Sequence, residues 1–245
     1  MWIFKNILDK ILWSNTLYYP WCLTKIMIPE IQQNYETILH NLWIDFIKLT
    51  DQEYCCWSPV LRAWLRQDFE EIKEKNIKVF KEHAVWLIIT NCPACYNMLK
   101  YQYKLEEEYW IKVEHITQTL KRYESKIKSH NENWEITYHD PCHLWRHSGV
   151  YEEPRDIIKK YWYKINELKN NRENSMCCWW GWGLVNNNPE LSEKICNQVL
   201  SEVGEWKTMT SPCPMCYFQF RKYAWDKNIK VKEFSEIVLE KEENK

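Results

Sequence analysis

Apolar residues recur along this chain in two alternating rhythms, short extended runs and longer stretches with a period near 3.6. Residues 16–19, 45–49 and 86–90 read as strands, and 29–42, 60–83 and 96–110 as helices, the second of them broken near Asn76. The rhythm returns in the second half. Residues 135–139, 165–169 and 207–210 read as strands, 154–163 and 189–203 as helices, and a strand at 229–234 leads into a terminal helix. Short strands alternating with longer helices predict an α/β protein of two tandem parallel-sheet domains, each sheet covered by helices on both faces. The domains are placed at 1–125 and 126–245, with the junction inside 111–134.

Cysteine marks the same repeat more sharply. Cys22, the adjacent Cys55 and Cys56, then Cys92 and Cys95 are followed by Cys142, the adjacent Cys177 and Cys178, then Cys213 and Cys216, with equivalent positions 120 to 122 residues apart. Ten of the eleven cysteines thus form one arrangement used twice, which is an internal duplication. In α/β sheets the ligand-bearing loops gather beyond the carboxyl ends of the strands, so cysteines distant in sequence are expected to meet there. A disulfide scaffold is disfavoured, because 245 residues with 45% hydrophobic side chains can build cores without staples. No apolar leader or spanning segment is read, so reduced thiols and a cytoplasmic setting are expected.

Charge removes other classes. The formal net charge is −1, so the phosphate-neutralising surface that nucleic-acid binding needs is not expected. The mixed Lys and Glu runs at 70–78 and 235–245 read as solvated helix faces. No glycine fingerprint for a dinucleotide is present, and no flavin or nicotinamide site can be argued. The compact cysteine run of bacterial ferredoxins is absent too, so electrons have to arrive from another protein.

A tetrahedral zinc site needs four ligands, as does an ordinary four-iron cubane with one thiolate per iron, yet each half supplies five. Adjacent cysteines cannot share one regular face of a helix or strand, but in a loop both can turn toward one centre. The surplus favours iron-sulfur chemistry over a structural zinc site, which stays as an alternative. Each C-P-x-C pair taken alone also has the spacing of a thioredoxin-like dithiol. Cys196, in the apolar and polar alternation of 190–200, reads as a buried helical cysteine.

The most specific segments are YPWC at 19–22, CCWSP at 55–59, TNCPACY at 90–96, HDPCHLWRHSGVYEEPR at 139–155, CCWWGWG at 177–183 and PCPMCY at 212–217. Over about residues 16–240 the chain resembles the cysteine-rich, or CCG, family of iron-sulfur proteins. That family includes the B subunit and part of the D subunit of heterodisulfide reductase, and subunits of lactate, glycolate and glycerol-3-phosphate oxidation. The resemblance implies two noncubane [4Fe-4S] clusters, one on Cys22, Cys55, Cys56, Cys92 and Cys95, the other on Cys142, Cys177, Cys178, Cys213 and Cys216. It further implies reduction of a small-molecule disulfide, with Cys55, Cys56, Cys177 and Cys178 at the reacting centre. The implied partners are a ferredoxin-like iron-sulfur subunit as electron donor or acceptor, and a flavoprotein or membrane-bound complex to which the chain is peripheral. An electron-transfer subunit of a 2-hydroxy-acid or glycerol-3-phosphate dehydrogenase is the second reading.

Tryptophan departs from that pattern. Trp21, Trp57, Trp145, Trp179, Trp180 and Trp182 stand where the resemblance implies glycine, and the chain holds 16 tryptophans against 4 glycines. Trp43, after a helix and before a strand, and Trp64 fit the same substitution, whereas Trp13 reads as a core residue. Tight loops around a cluster need the positive φ and close backbone approach that glycine allows. Most of these residues are therefore read as glycines encoded by UGA and translated with a table that assigns UGA to tryptophan.

Around Cys142, Asp140, His143 and His147 are candidates for local chemistry, and a helix starting there puts the two histidines on one face. They read as hydrogen-bonding or exposed histidines in preference to a metal pair. His139 and Arg146 are candidates to stabilise an anionic substrate or cluster charge. Tyr96 and Tyr217 each follow the last cysteine of a set, and either line it or start a helix against the sheet.

Overall fold

The computed structural model describes residues 14–20, 22–127, 134–161, 163–181, 183–205 and 207–239. Two parallel sheets organise them. β1 (Asn15–Tyr18), β2 (Val85–Thr90) and β3 (Lys112–His115) form the first in the order β1-β2-β3. β4 (Trp134–Tyr138), β5 (Tyr163–Glu167), β6 (Thr208–Ser211) and β7 (Lys230–Glu233) form the second in the order β5-β4-β6-β7. Equivalent strands occupy equivalent places, which is the duplication seen in the cysteines. In the first sheet the counterpart of β5 shrinks to one parallel bridge between Leu17 and Ile47.

That bridge corrects the strand expected at 45–49. Only Tyr18 N–H to the Ile47 carbonyl, at 3.1 Å, and Ile47 N–H to the Thr16 carbonyl, at 2.8 Å, join it to β1. The segment lies at the sheet edge with Asp45 and Lys48 exposed, and a short charged edge strand gives no template for further pairing.

The expected helix 60–83 is two helices, Ser58–Arg62 and Arg66–Glu82, and the break falls at Trp64 rather than Asn76. Asn76 is fully buried inside the second helix. Its amide accepts Tyr54 N–H at 3.0 Å and donates to the Cys55 carbonyl at 3.3 Å and the Tyr103 hydroxyl at 3.0 Å. Asparagine usually competes with the helix backbone, and here tertiary partners take up its amide instead. The stretch 96–110 is likewise divided, into Pro93–Asn97, a π turn Met98–Gln102 and Leu105–Tyr109. Within 111–134 lie β3 and the helix Ile116–Arg122, neither signalled by periodicity, and residues 128–133 fall outside the described ones.

The halves pack as a pseudo-symmetric pair. The helix Pro29–Asn41 of the first half lies on the helix Phe234–Leu239 of the second, while Ile116–Arg122 lies on the second-half helix Glu152–Lys160. Each half thus offers its first long helix and its last helix to the other, the self-complementary arrangement of a two-fold contact. Tyr35, Leu39, Phe234, Ile237, Leu120 and Ile157 meet in one core shared across this interface. Fully burying a side chain of this size contributes about 1.5–3 kcal/mol, so the shared core holds the halves in one fixed relation. Cys196 is fully buried on the helix Pro189–Ser201, and burial pushes its thiol pKa up to about 12.

Glu233 gives this interface a pH dependence. It ends β7, accepts Ser235 N–H and hydroxyl at 2.6 Å each, and accepts the Tyr35 hydroxyl at 2.7 Å. Burial pushes its pKa up from 4.5 to about 7, against those hydrogen bonds. A carboxyl whose pKa rises on folding contributes stability that is complete below its unfolded pKa and lost as pH climbs through its folded one. The chain is therefore expected to lose roughly 2 kcal/mol between about pH 5 and about pH 8 from this group, and E233Q to lose little. Denaturant midpoints across that range measure it, and parallel pH profiles for the two chains would contradict it.

Candidate functional site

The ends of the strands position the cysteines. Cys22 opens the helix Cys22–Met27 just beyond β1, and Cys92 caps the helix Pro93–Asn97 just beyond β2. In the second half Cys142 opens Cys142–Trp145 beyond β4, and Cys213 caps Pro214–Ala224 beyond β6. The proline after each capping cysteine takes the first helical position, where its missing N–H costs no bond. Cys95 and Cys216 follow on those helices. The adjacent pairs lie in loops, Cys55 and Cys56 before Ser58–Arg62, and Cys177 and Cys178 after a 3-10 turn at Arg172–Asn174.

All ten thiols are free, and each set closes in the same way. The first member of the adjacent pair faces the lone cysteine, with Cys22 and Cys55 sulfurs 3.6 Å apart and Cys142 and Cys177 sulfurs 3.5 Å apart. The second member faces the end of the C-P-x-C turn, at 3.5 Å for Cys56 and Cys95 and 3.3 Å for Cys178 and Cys216. Hydrogen bonds from Cys22, then Cys56 and the Trp57 N–H, pull the Cys55 thiol well below its usual range. Cys177 is pulled down in the same way by Cys142, Cys178 and the Trp179 N–H, the last at 3.3 Å from its sulfur. The first cysteine of each pair is therefore a thiolate its neighbours solvate, and in the first set Cys92 is pulled down too, against burial, by hydrogen bonds from Cys95 and the Cys95 and Ala94 backbone. Soft thiolates in this number suit an iron-sulfur cluster. Among the described residues, no three His, Cys, Asp or Glu side chains surround a point fit for a single metal ion.

Buried polar atoms border the sets. Among the described residues, the Thr210 and Ser211 hydroxyls and both ring nitrogens of His139 have no hydrogen-bond partner. His139 packs its ring on Phe220 at 4.7 Å, and burial pushes its pKa down to about 4. Donors of this kind fit a sulfur-rich group beside them.

The second set has an anchor that sequence reading missed. Arg155, fully buried, donates to both Asp140 oxygens at 2.8 and 2.7 Å and to both Glu167 oxygens at 2.7 and 2.9 Å. Burial opposes its charge, but the two carboxylates outweigh that and hold it protonated. Asp140 also accepts Arg172 N–H at 2.9 Å, and its carbonyl accepts the Ser175 hydroxyl at 3.0 Å, so the Cys142 and Cys177 loops are tied together. Arg146 joins this tie by donating to the Ser175 carbonyl at 2.9 Å. Tyr96 and Tyr217 are buried, Tyr217 in the shared core, as helix-starting aromatics.

The two sets meet at the interface. The helix Pro93–Asn97 packs on Cys142–Trp145, and a cavity of about 20 Å³ lined by Cys142, Cys177, Cys178, Cys213 and Cys216 is also walled by Ala94 from the first C-P-x-C turn. A second cavity, about 40 Å³, is lined by Cys22, Cys55, Cys56 and Cys95 with Tyr19, Lys25 and Glu53. Arg62 reaches from the first half to His143, the residue after Cys142. Nothing in the local sequence around Arg62 signals this, because the contact spans 81 positions. His143 and His147 do share a face, their rings 5.2 Å apart.

The cysteine-rich domain family, denoted CCG, matches residues 16–100 and again residues 136–221. This chain belongs to that family. It is 28% identical over 225 residues to the D subunit of dihydromethanophenazine:CoB–CoM heterodisulfide reductase from Methanosarcina acetivorans, covering 86% of this chain and 54% of that one. It is 29% identical over 195 residues to the probable iron-sulfur-binding oxidoreductase FadF of Bacillus subtilis, covering 76% and 27%. The B subunit of fumarate reductase (CoM/CoB) from Methanothermobacter marburgensis is 26% identical over 210 residues, covering 83% and 41%. The cysteine-rich chain thus spans about half, or less, of the length of these relatives. Among solved structures, glutamate racemase isoform RacE1 of Bacillus anthracis aligns over 94% of this chain and 80% of its own, at a TM-score of 0.41 and 12% identity.

Proposed function

We propose that this chain is an iron-sulfur oxidoreductase subunit that reduces a small-molecule disulfide of the heterodisulfide type at two noncubane [4Fe-4S] clusters. The observation that carries the reading is the pairing itself: two equivalent five-thiol sets placed at one interface. Cys22, Cys55, Cys56, Cys92 and Cys95 would hold one cluster, and Cys142, Cys177, Cys178, Cys213 and Cys216 the other. Bound clusters supply one-electron steps, and cleaving a disulfide to two thiols takes two electrons and two protons. The electrons come from a ferredoxin-like partner subunit.

The chain's own residues shape the approach. Ala94 and Met215, the variable positions of the two C-P-x-C turns, give the cavity of the second thiol set apolar walls. Lys25, paired with Glu53, puts a cation at the edge of the cavity of the first thiol set, where an anionic substituent would be drawn. No helix among the described residues is long and apolar enough to cross a membrane. The proposed setting is the cytoplasm. A second reading, an electron-transfer subunit of a larger dehydrogenase, is supported by the relative named a probable iron-sulfur-binding oxidoreductase.

Anaerobic purification tests the reading first. A brown protein with about eight irons per chain is expected, and a colourless one holding zinc would replace the reading with a structural zinc site. Disulfide reduction driven by a reduced iron-sulfur donor then separates catalysis from relay. C55S and C177S are each expected to abolish it while the other centre stays loaded; full activity from either variant would refute the paired arrangement.

A further inference from the structure

We propose that Arg62 is a positioning residue that ties the two thiol sets together across the interface, an inference resting on the reading above. The guanidinium is fixed from its own side by the Ser58 hydroxyl, which accepts Arg62 Nε at 2.9 Å. Its Nη2 meets His143 Nε2 in the other half. Arginine has only donors, so His143 Nε2 accepts, and the ring proton is left on Nδ1, which lies 3.4 Å from the Cys142 sulfur. A chain of hydrogen bonds thus runs from Arg62 through His143 to Cys142. The same half-buried cation lies in the field of Cys142 and Cys177 from one set and Cys56 from the other. The device is single: the position matching Arg62, offset by the 122 residues that separate the two cysteine pairs, is Leu184.

A fixed cation beside a redox centre favours the form with more electrons, and a hydrogen bond to a ligand sulfur acts in the same direction. Arg62 should therefore raise the electron affinity of both centres at once. Cluster-loaded parent, R62Q and R62K are compared by redox titration followed by electron paramagnetic resonance, with iron measured on each. Both midpoint potentials are expected to fall in R62Q and to recover toward the parent in R62K, with iron content kept. A fall at one centre only, or at neither, overturns the proposal. Loss of iron with unchanged potentials also overturns it, since that is what a purely structural contact gives. A parent protein without iron fails earlier, at the iron measurement, and removes the functional reading with it.

The backbone supports a second inference independently: the native polypeptide carries glycine at positions 43, 57, 64, 110 and 179. Among the described residues, nine non-glycine residues have positive φ, and Trp43, Trp57, Trp64, Trp110 and Trp179 are five of them, with φ between 55° and 64°. Two sit in complete Schellman turns. Trp43 N–H bonds the His40 carbonyl while Ile44 N–H bonds Leu39, and Trp64 N–H bonds Leu61 while Leu65 N–H bonds Val60. The residue at that turn position is usually glycine, because a Cβ is strained there. Trp43, Trp64 and Trp110 bury nothing to offset the strain, being 86%, 92% and 84% exposed. Trp57 and Trp179 hold the third position of the two Cys-Cys-x turns, in a family denoted CCG. A UGA codon decoded as glycine accounts for all five. Trp145 lacks the signature, since it is helical and buried, and Trp21 and Trp182 lie outside the described residues. Tryptic peptide masses of the protein from its native source decide the matter. Glycine masses at all five positions are expected, and an indole mass at any of them overturns the inference as stated.

Discussion

Glycine installed together at positions 43, 57, 64, 110 and 179 is expected to stabilise the chain by about 3 kcal/mol. Left-handed backbone costs an L-residue with a Cβ about 1–2 kcal/mol, and glycine escapes that cost. Glycine also loses more freedom on folding, by roughly 0.5–1 kcal/mol, so the balance per site is smaller than the strain alone. The sites lie in separate turns, and apart from Trp57 and Trp64, which flank the one short helix Ser58–Arg62, they belong to different elements, so their effects should largely add. W86G serves as the control. Trp86 lies within β2 without positive φ, and glycine there removes packing and weakens the strand, so that variant should be destabilised. Denaturant midpoints at unchanged slope read both effects, and a lower midpoint for the five-glycine chain would show that the indoles belong where they are. Iron retention should improve as well, because the Trp57 and Trp179 N–H groups face Cys55 and Cys177 with a bulky side chain beside them.

Replacing Arg155 by Met is expected to cost about 3–5 kcal/mol and to empty the second thiol set while the first stays loaded. All five guanidinium N–H groups have acceptors: Asp140 twice, Glu167 twice and the Tyr151 carbonyl at 2.9 Å. Removing the cation leaves Asp140, 1% exposed, as a charge without its counterion. The carboxylate then has either to protonate or to pull toward water, and either movement disturbs the loops of Cys142 and Cys177 that it ties. R155K should recover little, because one ammonium cannot serve two carboxylates in a planar fork. The measurements are iron per chain, expected to fall by about half, and the denaturant midpoint. Full iron with a normal midpoint would refute the tie, and equal loss from both sets would show that Arg155 supports the whole fold rather than one centre.

The repeated cysteine order needed no coordinates, because a duplicated motif is a linear property of the chain. The same holds for most strands and long helices: β1, β2, β4, β6 and β7 overlap the short extended runs read from the sequence at 16–19, 86–90, 135–139, 207–210 and 229–234. Two misreadings have one physical cause. The segment 45–49 has a strand's composition but meets β1 only through Ile47, and Asn76 has a helix breaker's chemistry but tertiary partners for its amide. Strand pairing and side-chain satisfaction depend on what lies across space, which periodicity does not record.

The site divides along the same line. That ten thiols belong to two sets of five was determined by the sequence alone, as was the misfit of tryptophan at the Cys-Cys-x turns. Which thiol faces which, that the adjacent pair splits between the lone cysteine and the C-P-x-C turn, and that both sets share one interface were decided only by tertiary structure. Arg62 and Arg155 were invisible as site residues for the same reason. Their charges look like ordinary surface arginines until burial removes the water, and then each must find acceptors wherever the fold has brought them.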